Sequence, residues 1–309
     1  MRKVLVTGGS GMVGHEMKKL YPNFQYPTRD QLDLESLESI QTFLDENKFD
    51  AAIHLAARVG GVLDNSSHVS DFFSINMSMN TNFLDCCRKA GVKKVVSVLS
   101  TCVYPDASYV KYPLTEDQLH LGPPHHSNFG YAFAKRMLDV QSRTLRSQYG
   151  CNFITVIPNN LYGINDNFDL QSGHVIPSII RKFYEAKQQE KDVVIIWGTG
   201  QPKREFTFAR DISEIIVWAL DNYDGADPVN IGNTDSVTIY DLSKIIAEKI
   251  GFKGNIVFDD SKPDGQYEKP SSNEKLLSLG WSGKYTSLQE GLCETIDSFS
   301  RLYPNVRGV

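Results

Sequence analysis

The sequence predicts an α/β protein, with a doubly wound parallel sheet in its first half and a smaller mixed α/β part behind it. Short apolar runs alternate with amphipathic stretches up to Gly163. The runs are continuously apolar, which suits parallel strands covered by helices on both faces. Between the first run and the first amphipathic stretch lies a glycine-rich turn, Gly8-Gly9-Ser10-Gly11-Met12-Val13-Gly14.

Taken in order, residues 4–7 read as a strand, 11–20 as a helix and 24–26 as a weak second strand. Leu37, Ile40, Phe43 and Leu44 have helical spacing. Residues 51–55 form a third strand, 69–90 a long helix, 94–99 a fourth strand, 129–149 a helix and 153–157 a fifth strand. After Gly163 the rhythm changes. Residues 164–173 are polar and turn-rich, a loop; 175–186 are helical and 193–197 a strand. Helices over 211–220, 239–250 and 288–299, and a short strand over 229–231, complete the reading. Gly251 ends its helix in the left-handed position that glycine tolerates. The expected division is a dinucleotide-binding part over 1–163, with 203–235 returning to it, and a substrate-binding part over 164–202 and 236–309.

At 309 residues, 41% hydrophobic and 22% charged, the chain has the composition of a globular protein with a sizeable core. The net charge of -5 and the lack of basic clusters argue against nucleic-acid binding. The 5 cysteines show neither disulfide-framework nor metal spacing, and the 7 histidines no zinc pattern. No signal-like segment opens the chain, and no apolar run reaches the roughly 20 residues that cross a bilayer. A reducing, cytoplasmic location is the expectation, with neither a metal nor a membrane partner.

The glycine turn satisfies both Gly-x-x-Gly-x-x-Gly (Gly8, Gly11, Gly14) and Gly-x-Gly-x-x-Gly (Gly9, Gly11, Gly14). Such a turn lets backbone approach a pyrophosphate, and the helix behind it offers N–H groups and a positive dipole end. This is the Rossmann-type signature of a dinucleotide site. NAD usually meets an acid after the second strand. Here Pro27-Thr28-Arg29-Asp30 stands in that region, and Arg29 suits a 2′-phosphate, so NADP (as NADPH) is the expected cofactor. Asp30 is the counter-signal.

Tyr131 and Lys135 lie one helical turn apart, on one face. A cation beside a phenol favours phenolate, so Tyr131 is expected to have a lowered pKa and to serve as proton donor to a carbonyl receiving hydride. Ser100 directly follows the fourth strand, where open α/β sheets bind ligands, and can hold a carbonyl oxygen. A plain strand-end cap is its bland alternative.

With these residues the chain resembles the extended short-chain dehydrogenases/reductases, and within them the GDP-sugar epimerase-reductases. The likeness runs over essentially the whole chain, through Leu55-Ala56-Ala57-Arg58-Val59-Gly60-Gly61, Ser100-Thr101-Cys102-Val103-Tyr104-Pro105, Asn160-Leu161-Tyr162-Gly163, Gly173-His174-Val175-Ile176-Pro177, Trp197-Gly198-Thr199-Gly200 and Arg204-Glu205-Phe206. The resemblance implies that GDP-4-keto-6-deoxy-mannose is epimerised on both sides of its ketone and then reduced by NADPH. It implies Cys102 and His174 as the base and acid, beside Ser100, Tyr131 and Lys135. It implies Ser10, Met12, Val13, Leu55, Ala56, Ala57, Leu99, Pro158, Asn160, Leu161 and His174 as further cofactor contacts. Asn160, Lys182, Trp197, Arg204 and Lys269 would meet the substrate with Ser100 and Cys102. It implies a homodimer, for which the helices over 69–90 and 129–149 could form a four-helix interface. Lys182 stands where members of the branch carry Arg, and residues 264–270 depart from the common bacterial version. A dehydratase would need an acidic pair after Ser100-Thr101, where this chain has Cys102-Val103.

Overall fold

A computed structural model describes residues 2–262 and 264–309. Its strands are β1 (Val4–Thr7), β2 (Ala51–His54), β3 (Lys94–Val98), β4 (Asn152–Pro158), β5 (Asn160–Tyr162), β6 (Val193–Trp197), β7 (Lys203–Phe208), β8 (Val229–Ile231), β9 (Ser236–Thr238) and β10 (Asn255–Asp259). Its helices are α1 (Met12–Leu20), α2 (Leu37–Glu46), α3 (Val62–Ser67), α4 (Val69–Lys89), α5 (Phe129–Tyr149), α6 (Val175–Gln188), α7 (Ala209–Asn222), α8 (Ile239–Ile250), α9 (Glu274–Ser278) and α10 (Leu288–Leu302).

The main sheet is parallel, in the order β1-β2-β3-β4-β8. Its residues alternate between two apolar layers. Leu5, Ala52, Val95 and Phe153 face α2, α4 and α5, where Ile40, Phe83 and Leu138 pack. Val6, Ile53, Val96 and Ile154 face α1 and α7, where Met17, Ile212 and Ile216 pack. Coverage on both faces is why these strands are buried almost throughout and mostly apolar.

The expected strand over 24–26 is reduced to one parallel bridge, Gln25 to Leu5. Val6 N donates to Gln25 O at 2.8 Å and Gln25 N donates to Val4 O at 2.9 Å. Pro27 has no N–H with which to extend the ladder. The bridge nevertheless matters, because it lies on one side of β1 and β2 lies on the other. The chain reverses its direction of winding at β1, and ligands of open α/β sheets bind at such a switch point.

The second half holds β6 beside β10 and β7 between β5 and β9. These surround a third apolar cluster with α6, α8 and α10, including Phe183, Ile246 and Leu292. β5, β7, β9 and β10 escaped the sequence reading, because β5 and β9 have only three residues, β10 is half-exposed, and β7 lacks a continuous apolar run. The segment over 164–173 is a loop, as expected. Phe168 pins it to α10, 4.5 Å from the Phe299 ring between centroids. Phe299 is 1% exposed and also meets Tyr184 and Tyr303. Phe299→Ala should lower the unfolding free energy by about 3–5 kcal/mol in urea titration. It should also speed proteolysis within 164–173.

Candidate active site

The carboxyl ends of β1 to β4 open on a cavity of about 1410 Å³. Every residue given a site role by the sequence borders it, from Gly8 to Lys269.

At one end lies the glycine turn. Gly8 has φ +74°, and a Cβ there would stand 2.7 Å from Ala56 N. A Cβ on Gly14 would stand 2.4 Å from Gly8 O. Gly11 N donates to Gly8 O at 3.0 Å and closes the turn. Gly11 is also the N-cap of α1 and has no side chain to occupy the first N–H groups. The cradle and its size fit a dinucleotide diphosphate. Arg29 stands at the rim with a 77% exposed side chain, its Nη2 2.6 Å from Glu35 Oε1. An ion pair so exposed is weak, and an arriving phosphate can displace the carboxylate.

At the other end lies the chemistry. Ser100 Oγ accepts from Cys102 N at 3.3 Å, so it caps the short turn after β3 and borders the cavity as well. Tyr131 and Lys135 share one face of α5, but Lys135 Nζ donates to Val98 O at 2.8 Å. The expected lowering of the phenol's pKa is not met here. Burial pushes Tyr131 up, with the nearby Cys102 adding to it. Burial likewise pushes Lys135 down to about 8. Both charged forms lose water in the same wall of protein, and that loss outweighs the help a cation gives a phenolate.

Cys102 goes the other way. Burial raises its thiol, but Lys269, whose Nζ lies 3.7 Å from Sγ, and hydrogen bonds from Ser100 and Asn128 bring it below its usual value. By contrast, burial raises Cys86, Cys87 and Cys151. His174 is the N-cap residue of α6, yet its side chain makes no capping bond and faces the cavity. The protein atoms crowded around the cavity first, then the Arg307 charge, lower its pKa, although the residue stays open to the cavity. Its loop is fastened by Asn165 Nδ2 to Ser10 O at 3.0 Å, by Gly61 N to Ser172 O at 2.9 Å and by Phe168 N to Arg307 O at 2.9 Å.

Lys182 Nζ donates to Ile195 O at 3.1 Å and lies 5.2 Å from the centre of the Trp197 ring. Arg204 Nη1 donates to Tyr267 O at 3.1 Å. Burial pushes both cations down, a shift that an anion bound beside them would reverse. The sequence reading missed Asn128, Asp166 and Arg307, which border the same cavity. Burial raises Asp166 to about 7. Asn128 could have been found as the N-cap of α5, but nothing local marks Asp166 or Arg307.

The comparisons agree with this geometry. The model of the NAD dependent epimerase/dehydratase family matches residues 4–232. The chain belongs to this family. Within it, the chain is 42% identical to a GDP-L-fucose synthase of Dictyostelium discoideum, over 99% of this chain and 98% of that one. It is 39% identical to a GDP-L-fucose synthase of Sinorhizobium fredii, over 96% and 95%. A crystal structure of a GDP-L-fucose synthetase from Naegleria fowleri bound to NADP superposes with a TM-score of 0.92 at 37% identity, covering 99% of this chain and 95% of that one.

Beneath the cavity of this epimerase/dehydratase chain runs a buried polar relay. Thr7 Oγ1 and His54 Nδ1 lie 2.8 Å apart, His54 Nε2 and Asn80 Oδ1 3.0 Å apart, and Asn80 Nδ2 donates to Ala134 O at 3.2 Å. It ties β1 and β2 to the helix that carries Tyr131 and Lys135. Burial, with the Lys135 charge, lowers His54 from 6.5 to about 3. The unfolded chain therefore takes up this proton first. The contribution is full above the unfolded pKa and is lost as pH falls toward the folded one. Between pH 7 and pH 5 this single group should remove about 2 kcal/mol of stability. Urea denaturation of His54→Gln should lack that part of the pH dependence.

Proposed function

We propose that this chain is a bifunctional 3,5-epimerase and 4-reductase that converts GDP-4-keto-6-deoxy-D-mannose to GDP-L-fucose with NADPH. One observation carries the reading. A thiol of lowered pKa, an imidazole and a phenol border a single cavity, in a chain of this family. The acidic pair that a dehydratase needs is replaced by Cys102-Val103.

The glycine turn holds the cofactor diphosphate, with Ser10, Met12 and Val13. Arg29 leaves Glu35 for the 2′-phosphate. Leu55, Ala56, Ala57, Leu99, Pro158, Asn160 and Leu161 line its path, and Lys135 and His174 complete it. When bound, the cofactor supplies hydride to the ketone carbon. Lys182, Arg204 and Lys269 neutralise the diphosphate of the sugar nucleotide, and Trp197 and Asn160 orient it.

The hydrogens beside a ketone are acidic because the enolate spreads its charge onto oxygen. Cys102 takes the proton from one face of each flanking carbon, and His174 returns a proton to the opposite face. Ser100 and Tyr131 hold the developing oxyanion throughout. The high pKa of the buried phenol keeps its proton in place until that oxygen becomes basic enough to take it. Lys135, anchored on Val98 O, then stabilises the phenolate left behind. The division into a cofactor part over 1–163 and 203–235 and a substrate part over the remainder belongs to the same proposal. So does a homodimer through α4 and α5, where Phe73 and Val140 are exposed. No helix among the described residues is long and apolar enough to cross a membrane, and we read the enzyme as cytoplasmic.

The test is turnover of GDP-4-keto-6-deoxy-mannose with NADPH in deuterated water. About two deuterons fixed in the product, with loss of NADPH absorbance, support epimerisation plus reduction. Loss of NADPH with no deuterium fixed would leave a plain ketoreductase. Tyr131→Phe should lower the rate of reduction by about 10²–10⁴ with NADPH binding retained. Cys102→Ser should retain NADPH binding and fix no deuterium.

A further inference from the structure

The Lys269 ammonium reaches Cys102 from 167 residues along the chain, and it stands in no helix or strand. A lysine side chain has four rotatable bonds and does not hold such a place unaided. Its backbone neighbours, however, are tied down. Tyr112 OH donates to Glu268 O at 2.8 Å. Leu114 N donates to Pro270 O at 2.8 Å, and Leu114 O accepts from Ser272 N at 2.9 Å. Glu205 on β7 supplies the remaining tie. Glu205 is 3% exposed, and its carboxylate accepts from Ser271 N at 3.1 and 3.2 Å and from Ser271 Oγ at 2.6 Å. Asn159 Nδ2 donates to it at 3.4 Å. A carboxylate is costly to bury, so one that spends its acceptors on a loop backbone points to that loop as its purpose.

We propose that Glu205 is a positioning residue for Cys102, stapling residues 269–272 to β7 so that the Lys269 ammonium rests against the thiol. The inference rests on the reading of Cys102 as the epimerisation base. The groups that face the thiol come from four elements. Lys269 comes from the stapled segment, Arg204 from β7, Asn128 and Tyr131 from the start of α5, and Ser100 from the end of β3. Of the two cations, Lys269 is the one in contact. Arg204 is directed to Tyr267 O, and Tyr131 opposes a thiolate. The Lys269 charge also acts on His125 and Glu205.

The test is the pH profile of Cys102 alkylation by iodoacetamide in the full chain, read by mass spectrometry of the peptide that carries Cys102. Lys269→Gln should slow alkylation about tenfold at neutral pH and displace the profile upward. Glu205→Ala should produce the same displacement. Glu205→Gln, which keeps an acceptor for Ser271, should restore the wild-type profile. The double variant Lys269→Gln/Glu205→Ala should be no slower than Lys269→Gln, because both changes act through one contact. A Glu205→Ala chain that binds NADPH and alkylates with the wild-type profile overturns the proposal. If that variant fails to fold, Glu205→Asp takes its place, and an unmoved profile has the same force. The assay uses no sugar substrate, so the two readings fail separately. A wild-type enzyme that fixes no deuterium overturns the epimerase reading. An unmoved alkylation profile overturns the positioning alone.

Discussion

Everything at the cavity depends on how closely backbone meets backbone at the end of β1. Gly14 lies against the carbonyl of Gly8, and Gly8 lies against the amide of Ala56, with no room for a Cβ at either position. This contact brings α1 down onto the sheet at the point where the winding reverses. It leaves the first N–H groups of α1 facing the space that the strand ends enclose. A side chain at Gly14 would push the helix away and widen the turn. The anion site and the seat of the 164–173 loop, which hangs from Ser10 O, would be lost together.

The same crowding sorts the ionisable groups. Burial raises the phenol of Tyr131, lowers Lys135 and His174, and would raise the thiol of Cys102 as well. At the thiol, burial is opposed by the Lys269 ammonium and by hydrogen bonds from Ser100 and Asn128. Desolvation therefore disfavours charge at Tyr131, Lys135 and His174, while the contacts at the thiol favour its thiolate form. That is a useful division for chemistry that removes a proton at carbon and delivers one at oxygen. The groups differ in environment rather than in kind.

Three distant segments are fastened around this centre. The loop of His174 is held by the glycine turn, by Gly61 and by the C-terminal tail. The segment of Lys269 is held by Tyr112, Leu114 and Glu205. The helix of Tyr131 is tied to β1 and β2 through Asn80 and His54. Each tie joins parts that are remote in sequence, and those of Glu205, His54 and Asn80 use buried polar atoms. Such ties add specificity of placement more than net stability.

Much of the fold was legible in the sequence because its signals are local. Continuous apolar runs mark the covered strands, spacing of apolar residues marks the helices, and the glycine turn marks the strand–helix junction. The helix over 129–149 and the strands over 193–197 and 229–231 are found with their own bounds. Tyr131 and Lys135 are one turn apart, so their shared face was readable too. What the sequence could not determine is what each charge meets. It predicted that Lys135 would lower the Tyr131 pKa, and burial in the folded wall reverses this. It placed Arg29 without Glu35, and Lys269 without its contact to Cys102. It missed Asp166 and Arg307 altogether. Residue type and spacing decide which groups the chain carries and which helical face holds them. Only the tertiary structure decides their solvation and their distant neighbours, and those set the charge each group keeps.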